Sequence, residues 1–516
     1  MAVKPNILFI VLDTMRHDRL SIYGHDRETS PQLDQFAQDS TLFERAVSAA
    51  QWTVPSHASM FTGVYPSTHG LTQADGMLPR SYPALAEILR GAGYETVAFC
   101  NNPLVGVLNN GLQRGFTRFY NYSSAAPFRP KEHQQSKLRR EALHMFRRYV
   151  ARPIGNQFAH SDFLFRMSLN PLVVPFWNRL INFKGSSAHS IDDLMSYWSQ
   201  QQAGGADKPL FAFLNLMGSH MPYNPPQDAL DRVAPEIRHD RHTYSFMRRF
   251  NSEAARWASP TDPPLKDWEQ ETLNHFYDAE IVNQDQHLGR LLKWLKDSGT
   301  LDNTMVIICA DHGEGLGDHD FIGHGFVVYH ELVHVPLIIH YPERFPMGKR
   351  VMNTISTRRL FHTVLEAADV APPNATDTSA SLSLSNVVNG STDIEQNVAM
   401  SEAFPPLTFL NVIQHRNAPA IPRMRLKNVR RALYQDQHKL AVVGQQVEGL
   451  FDIAADPTEV ESVAASLAPT LSAMQRMLIA QVNKAESQRI ESPSVSNSNV
   501  VDESVVDHLR ALGYIE

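Results

Sequence analysis

The chain has 516 residues, 43% of them hydrophobic and 20% charged, with 54 acidic side chains against 47 Lys and Arg and a formal charge of −7. That length exceeds what one compact core usually holds and predicts a large domain with a smaller one, in a soluble globular protein of ordinary composition. The acidic balance argues against nucleic-acid binding, and two cysteines, Cys100 and Cys309, are too few for a disulfide scaffold.

In chain order, the first element is the apolar run "NILFIVLD", which ends in Asp13. Its "ILFIVL" core is too short for a signal peptide or a membrane span, and no later run is long enough to span, so the chain is expected to be cytoplasmic. Next comes "TVPSHASMFTG", residues 53–63. Pro55 suits the first turn of a helix, where a missing N–H costs nothing. Thr53 then lies at the helix N-terminus, where backbone N–H groups and the dipole favour an anionic centre. It is either a nucleophile placed for an anionic ester or a plain N-cap.

"PALAEILRGAGY" puts Leu85, Ile88 and Leu89 on one helical face and stops at glycines. "ETVAFCNN" is a second apolar run and ends in Asn101 and Asn102. Residues 121–205 differ in character: "RPKEHQQSKLRREALHMFRRYVARP" is basic, and "FLFRMSLNPLVVPFWNRLINF" is aromatic and aliphatic. This insert reads first as a helical subdomain packed on the core, and second as an amphipathic arm lying on a membrane or over a pocket. "PLFAFLNLMGSH" is a third run, ending at Ser219 and His220. "YDAEIVNQDQHLGRLLKWLKDSG" spaces Tyr277, Ile281, Leu288, Leu291, Leu292 and Leu295 helically and stops at Gly299. "TMVIICADHGEG" is the fourth run and ends in Asp311 and His312. The Ser/Thr-rich stretch at 371–393 is expected to be a surface loop, and residues 486–504 a linker before a short terminal helix.

Apolar runs without alternation suit strands buried on both faces, and strands alternating with helices imply a parallel sheet covered on both sides. The crevice of such a sheet lies beyond the carboxyl ends of its strands. Here those ends carry Asp13, Asn101, Asn102, His220, Asp311 and His312. Asp13, Asp311 and His312 supply two hard oxygens and a nitrogen, which suit one divalent ion: Mn, Zn or Mg, or Ca in a carboxylate-rich site. Such an ion activates a hydroxyl like that of Thr53. The nearby His319, His330 and His334 read as surface or pocket-lining groups.

The segments "PNILFIVLDTMRHDRLSIYGH", "TVPSHASMFTGVYPSTHGL", "GSHMPYNPP", "DAEIVNQDQHLGRLLKWLKDSGTLDNTMVIICADHGEGLGDH" and "GLFDIAADPTEVESVA" resemble the sulfatase family of the alkaline phosphatase superfamily. The resemblance implies an α/β fold, an alkaline phosphatase-like sandwich with a central mostly parallel sheet and a smaller C-terminal α+β subdomain. It divides the chain into a catalytic domain over 1–370, a subdomain over 371–485 and a terminal linker and helix over 486–516. It implies that Asp13, Asp311 and His312 hold the metal and that His220 assists the leaving group. It also implies that His324 binds the anionic group, and that His57, Asp75, Asn101 and Asn102 line the substrate pocket.

Two departures bear on the chemistry. Thr53 stands where the family has a Cys or Ser converted to formylglycine, and the methyl on its β-carbon prevents that conversion. Thr14 follows Asp13 where many sulfatases have a second Asp. An unmodified Thr resembles the phosphodiesterase and phosphoethanolamine-transferase branches. Phosphorus esters are therefore expected to be favoured over sulfate, with a small anionic ester as the partner. A transferase and a non-catalytic anion binder are the alternatives.

Overall fold

The four apolar runs become four neighbouring strands of one sheet. The structure, a computed structural model, describes residues 4–123, 129, 184–205, 208–252, 259–261, 263–372, 380–391 and 393–490. The strands are β1 (Asn6–Leu12), β2 (Thr41–Val47), β3 (Glu95–Cys100), β4 (Arg118–Asn121), β5 (Leu210–Leu216), β6 (Ser259–Pro260), β7 (Thr304–Cys309), β8 (Gly315–Leu316), β9 (Phe321–Gly323), β10 (His334–His340), β11 (Lys349–Ser356), β12 (Val398–Ala403), β13 (Arg430–Gln435), β14 (His438–Val443) and β15 (Gln446–Asp452). Among the described residues the central sheet has the order β11-β2-β10-β7-β1-β5-β3-β4. Only β10 runs against the others, so the expected mostly parallel sheet is what forms.

Side chains alternate across this sheet and bury both faces. Phe9, Phe213 and Ala98 lie in one row. On that face Phe213 meets Phe61 of the helix Thr53–Thr62. In the next row Phe99 meets Tyr197 of the helix Ser187–Ala203 on the opposite face. The long helix Asp267–Asp297 covers that second side and buries every apolar residue its spacing predicted. Its chain turns at Gly299, whose φ of 67° is left-handed and suits a residue without a β-carbon.

The second sheet, β12-β13-β14-β15, is antiparallel. Met400, Leu433, Leu440 and Leu450 form one cross-strand row, and Met474 and Leu478 of the helix Ala468–Ser487 cover it. Ala399, Ala432 and Tyr434 face the other way, onto Phe326, Val327 and Leu332 of the large unit. The expected loop at 371–393 differs in part. Leu384–Val388 is helical, with Ser383 accepting from the Ser385 N–H, because Leu384, Val387 and Val388 join the core. The insert's aromatic segment, its basic segment apart from Arg129, and the chain beyond residue 490 lie outside the described residues. Among the described residues no helix is long and apolar enough to cross a membrane.

Candidate active site

The strand order β7-β1-β5-β3 brings the polar ends of all four runs to one edge. Asp13 follows β1 and extends the ladder, its N–H donating to Leu216 O at 2.8 Å. Thr14 then takes a left-handed φ of 60°, held where Tyr277 Oη donates to its carbonyl at 2.6 Å. That turn aims the Thr14 N–H at Asp311 Oδ1, 3.3 Å away, which also accepts from the His312 N–H at 3.0 Å. Asp13 Oδ2 accepts from Asn102 Nδ2 at 2.7 Å and Asn215 Nδ2 at 3.2 Å. Each carboxylate thus has one oxygen held and the other, Asp13 Oδ1 and Asp311 Oδ2, buried without a hydrogen bond.

His312 completes the cluster. Its Nδ1–H donates to Gly313 O at 2.9 Å, which leaves a lone pair on Nε2. Donor atoms of Asp13, Asp311 and His312 all lie within 4.8 Å of one another. Burial and mutual repulsion push Asp13 up to about 7, and burial pushes Asp311 up to about 8. Burial, with His324 close by, draws His312 down to about 4. Two uncompensated carboxylates and one imidazole lone pair are the donor set a dication fits, and its charge would reverse both carboxylate shifts.

Thr53 opens the helix Thr53–Thr62, whose N-cap is Trp52, so the Thr53 hydroxyl is not spent as a cap. Thr53 Oγ1 lies 3.3 Å from His312 Nε2 and accepts from Asn102 Nδ2 at 3.3 Å. The helix is fixed beneath the metal ligands: Ser48 and Ser56 donate to Asp311 O at 2.5 and 2.8 Å.

The remaining expected residues divide. His220 donates its Nδ1–H to Met221 O at 2.6 Å, and its ring lies 5.2 Å from that of His324, centroid to centroid. His324 in turn lies 4.4 Å from His312. Burial first holds His220 down to about 3 and His324 to about 4. Asn101 is buried and donates to Lys184 O at 2.9 Å. His57 is fully buried, donates to Thr53 O at 2.9 Å, meets Phe61 and Phe213 edge-on, and has its Nδ1 3.5 Å from Asp311 Oδ2, so it packs beneath the nucleophile helix and against one candidate metal ligand. Asp75 is exposed and no hydrogen bond joins it to this cluster.

Three neighbours lay outside the sequence reading. Asn215 braces Asp13, and its only signal was an amide inside an apolar strand. Lys184 bridges Gly218 O and Glu280 Oε1 at 2.8 and 2.9 Å. Glu314 accepts from His324 Nδ1 at 2.7 Å, and burial pushes it up to about 7 against the pull of His220 and His312.

The family model for sulfatases matches residues 5–370. The ulvan-active sulfatase of Formosa agariphila is 28% identical over 66% of this chain, which spans 56% of that relative's length. An arylsulfatase of Clostridium perfringens is 24% identical over 72% of this chain and 74% of its own. The fold matches the crystal structure of a phosphonate monoester hydrolase of Agrobacterium radiobacter with a TM-score of 0.65 at 20% identity, over 93% of this chain and 96% of that one. With the family model spanning most of its length, the chain belongs to the sulfatase family of ester hydrolases.

Proposed function

We propose that this protein is a metal-dependent hydrolase that attacks small anionic esters with Thr53, favouring phosphorus over sulfur. One observation carries the reading. The Thr53 hydroxyl is uncommitted as a cap and sits between His312 Nε2 and Asn102 Nδ2, beside two orphaned carboxylate oxygens. Asp13, Asp311 and His312 would hold the ion, which when bound supplies Lewis-acid charge and lowers the pKa of the hydroxyl oxygen.

The chain's own groups do the rest. Thr53 Oγ1, its hydroxyl proton lost to bulk water, attacks the phosphorus, and the leaving oxygen takes a proton that His220 Nε2 has first drawn from solvent. The backbone N–H groups at the start of the helix Thr53–Thr62 face the negative charge that develops. Burial holds His220 down to about 3, and a bound dianion beside it raises its proton affinity, so that Nε2 is loaded with the proton it passes on. Phosphorus is favoured because a Thr ester must be cleared by water, having no geminal hydroxyl with which to expel its group by elimination. A reducing, cytoplasmic setting is proposed with it, supported by two free, buried thiols.

The test compares p-nitrophenyl phosphate, bis-p-nitrophenyl phosphate, a phenylphosphonate and p-nitrophenyl sulfate, after chelation and with metal restored. Metal-dependent turnover led by a phosphorus ester is expected, with Thr53→Ala lower by at least about 1000-fold while its metal content stays native. Native turnover by Thr53→Ala would remove the nucleophile assignment, and sulfate-led turnover would remove the phosphorus preference.

A further inference from the structure

The hairpin β8–β9, closed where Gly315 pairs with Gly323, turns through Asp318–Asp320. That turn carries His319 with a left-handed φ of 53°, and its ring stacks on Tyr329 at 4.1 Å between centroids. Two carboxylates approach it. Glu331 comes from the short helix His330–Val333, and Glu459 from the chain after β15. One donor atom from each of His319, Glu331 and Glu459 lies within 4.8 Å of the other two. The proposed reaction uses none of them.

The neighbouring cations are already committed. Arg16 pairs with Asp18 and Asp318, at 2.7 Å each. Lys439 Nζ meets Glu459 Oε1 at 2.5 Å and donates to Val328 O at 2.6 Å, while Glu459 Oε2 accepts from the His330 N–H at 2.7 Å. Glu331 is left over. Its side chain is 8% exposed, and among the described residues no Lys or Arg pairs with it and no donor but its own backbone N–H meets its carboxylate. Burial, then Asp318, pushes that carboxyl up, and Arg16 offsets this only in part. A carboxylate so buried calls for a partner. Its Oε2 stands 3.8 Å from His319 Nε2, too far for a hydrogen bond. That gap is close to the separation of two ligands on one zinc ion, whose bonds to nitrogen and oxygen are about 2.0–2.2 Å long.

We propose that His319, Glu331 and Glu459 form a second divalent-metal site, of zinc type, that pins the second sheet to the loop carrying Asp311 and His312. It stands whether or not Thr53 is the nucleophile. One imidazole and two carboxylates are ligands that zinc takes, with water in the fourth position. Two carboxylates against Lys439 leave net negative charge for a dication to meet. Glu331 sits hard against the catalytic loop: the Gly313 N–H donates to Leu332 O at 2.7 Å, and a β-carbon on Gly313 would collide with Glu331 O. An ion held by all three residues therefore ties the hairpin, that loop and the second sheet together. The His319 side chain, 20% exposed, is where the ion enters.

The experiment counts metal and follows melting. Native protein, His319→Gln and Glu331→Gln are chelated, incubated with zinc, freed of excess and analysed by metal mass spectrometry, with circular dichroism checking each fold. The native chain is expected to hold about two zinc ions, the other at Asp13, Asp311 and His312, and each variant about one fewer. Zinc is also expected to raise Tm further in the native protein than in either variant. The drop of about one ion, whatever the native total, carries the proposal. His319 is the more exposed ligand, so His319→Gln decides the matter if Glu331→Gln does not fold. A zinc count in His319→Gln equal to the native one overturns the site. An equal zinc-induced rise in Tm in native protein and variant overturns its role in pinning the second sheet.

Discussion

Asn102 donates one amide to two acceptors: Asp13 Oδ2 at 2.7 Å and Thr53 Oγ1 at 3.3 Å. Its own carbonyl oxygen is fixed by the Leu104 N–H at 2.8 Å, so the amide cannot turn over. Asn102 therefore ties a metal ligand to the nucleophile. Asn102→Ala removes both bonds and leaves Asp13 with Asn215 alone. Divalent-metal affinity should fall about 10- to 100-fold, the range for losing a residue that braces a ligand. Turnover at saturating metal should stay depressed, because Thr53 has lost its donor. Metal titration of the chelated protein, followed by saturated rate assays, separates the two effects. At this scale the sequence was informative where a side chain ends a strand. Asp13, Asn102, Asp311 and His312 each close an apolar run, and the structure brings them together. Asn215 and Glu314 were not legible, because each matters through a partner that only strand pairing supplies. The motif that suggested His57 gave its position on the helix but not its 3.5 Å approach to Asp311 Oδ2.

The hairpin β8–β9 shows the same limit at the scale of elements. Its strands are two and three residues long, too short for any apolar period to announce them. The long buried runs and the helix Asp267–Asp297 were legible because they fill several turns or pleats with one kind of residue. What the short hairpin does is geometric: the Gly315–Gly323 pair lets two backbones close without side chains between them. Gly315→Ala puts a β-carbon 2.9 Å from Gly323 O and 3.0 Å from Phe321 O, both backbone atoms that cannot rotate away. The expected cost is about 1–3 kcal/mol of stability. Turnover should fall further than that cost explains, since spreading the strands parts Glu314 from His324. Gly91→Ala, where a β-carbon meets nothing within 4 Å, is the comparator and should match the native protein in both. Urea midpoints and rates measured on the two variants check this, and equal behaviour would mean the hairpin is not what holds the pair.

Across the whole molecule, the segment that follows the nucleophile helix joins the two sheets. Ser67 N–H donates to Glu402 Oε2 at 2.9 Å, at the edge strand of the second sheet, and Thr68 Oγ1 donates to Ala485 O at 2.8 Å on the terminal helix. His69 closes this segment and is 1% exposed. Its Nδ1 accepts from the Leu71 N–H at 3.0 Å, so Nε2 carries the proton and donates to Ser59 Oγ at 3.1 Å. Both nitrogens are satisfied only while the ring is neutral. Burial first, then the Arg489 charge, hold its pKa down to about 3. In the unfolded chain His69 titrates near 6.5. Below that pH the unfolded state gains a proton that the folded state refuses, so the contribution is whole above about 6.5 and is lost as pH falls toward 3. At pH 5 the loss is about 2 kcal/mol relative to pH 7.5. His69→Asn, which cannot titrate, should lose about 2 kcal/mol less than the native protein between those pH values, whatever the substitution costs at pH 7.5. Because His69 ties the helix Thr53–Thr62 to the segment gripping the second sheet, acid should loosen that junction and the nucleophile together. Urea unfolding at the two pH values, read beside turnover, checks both, and parallel pH dependence in native protein and variant would clear His69 of that role.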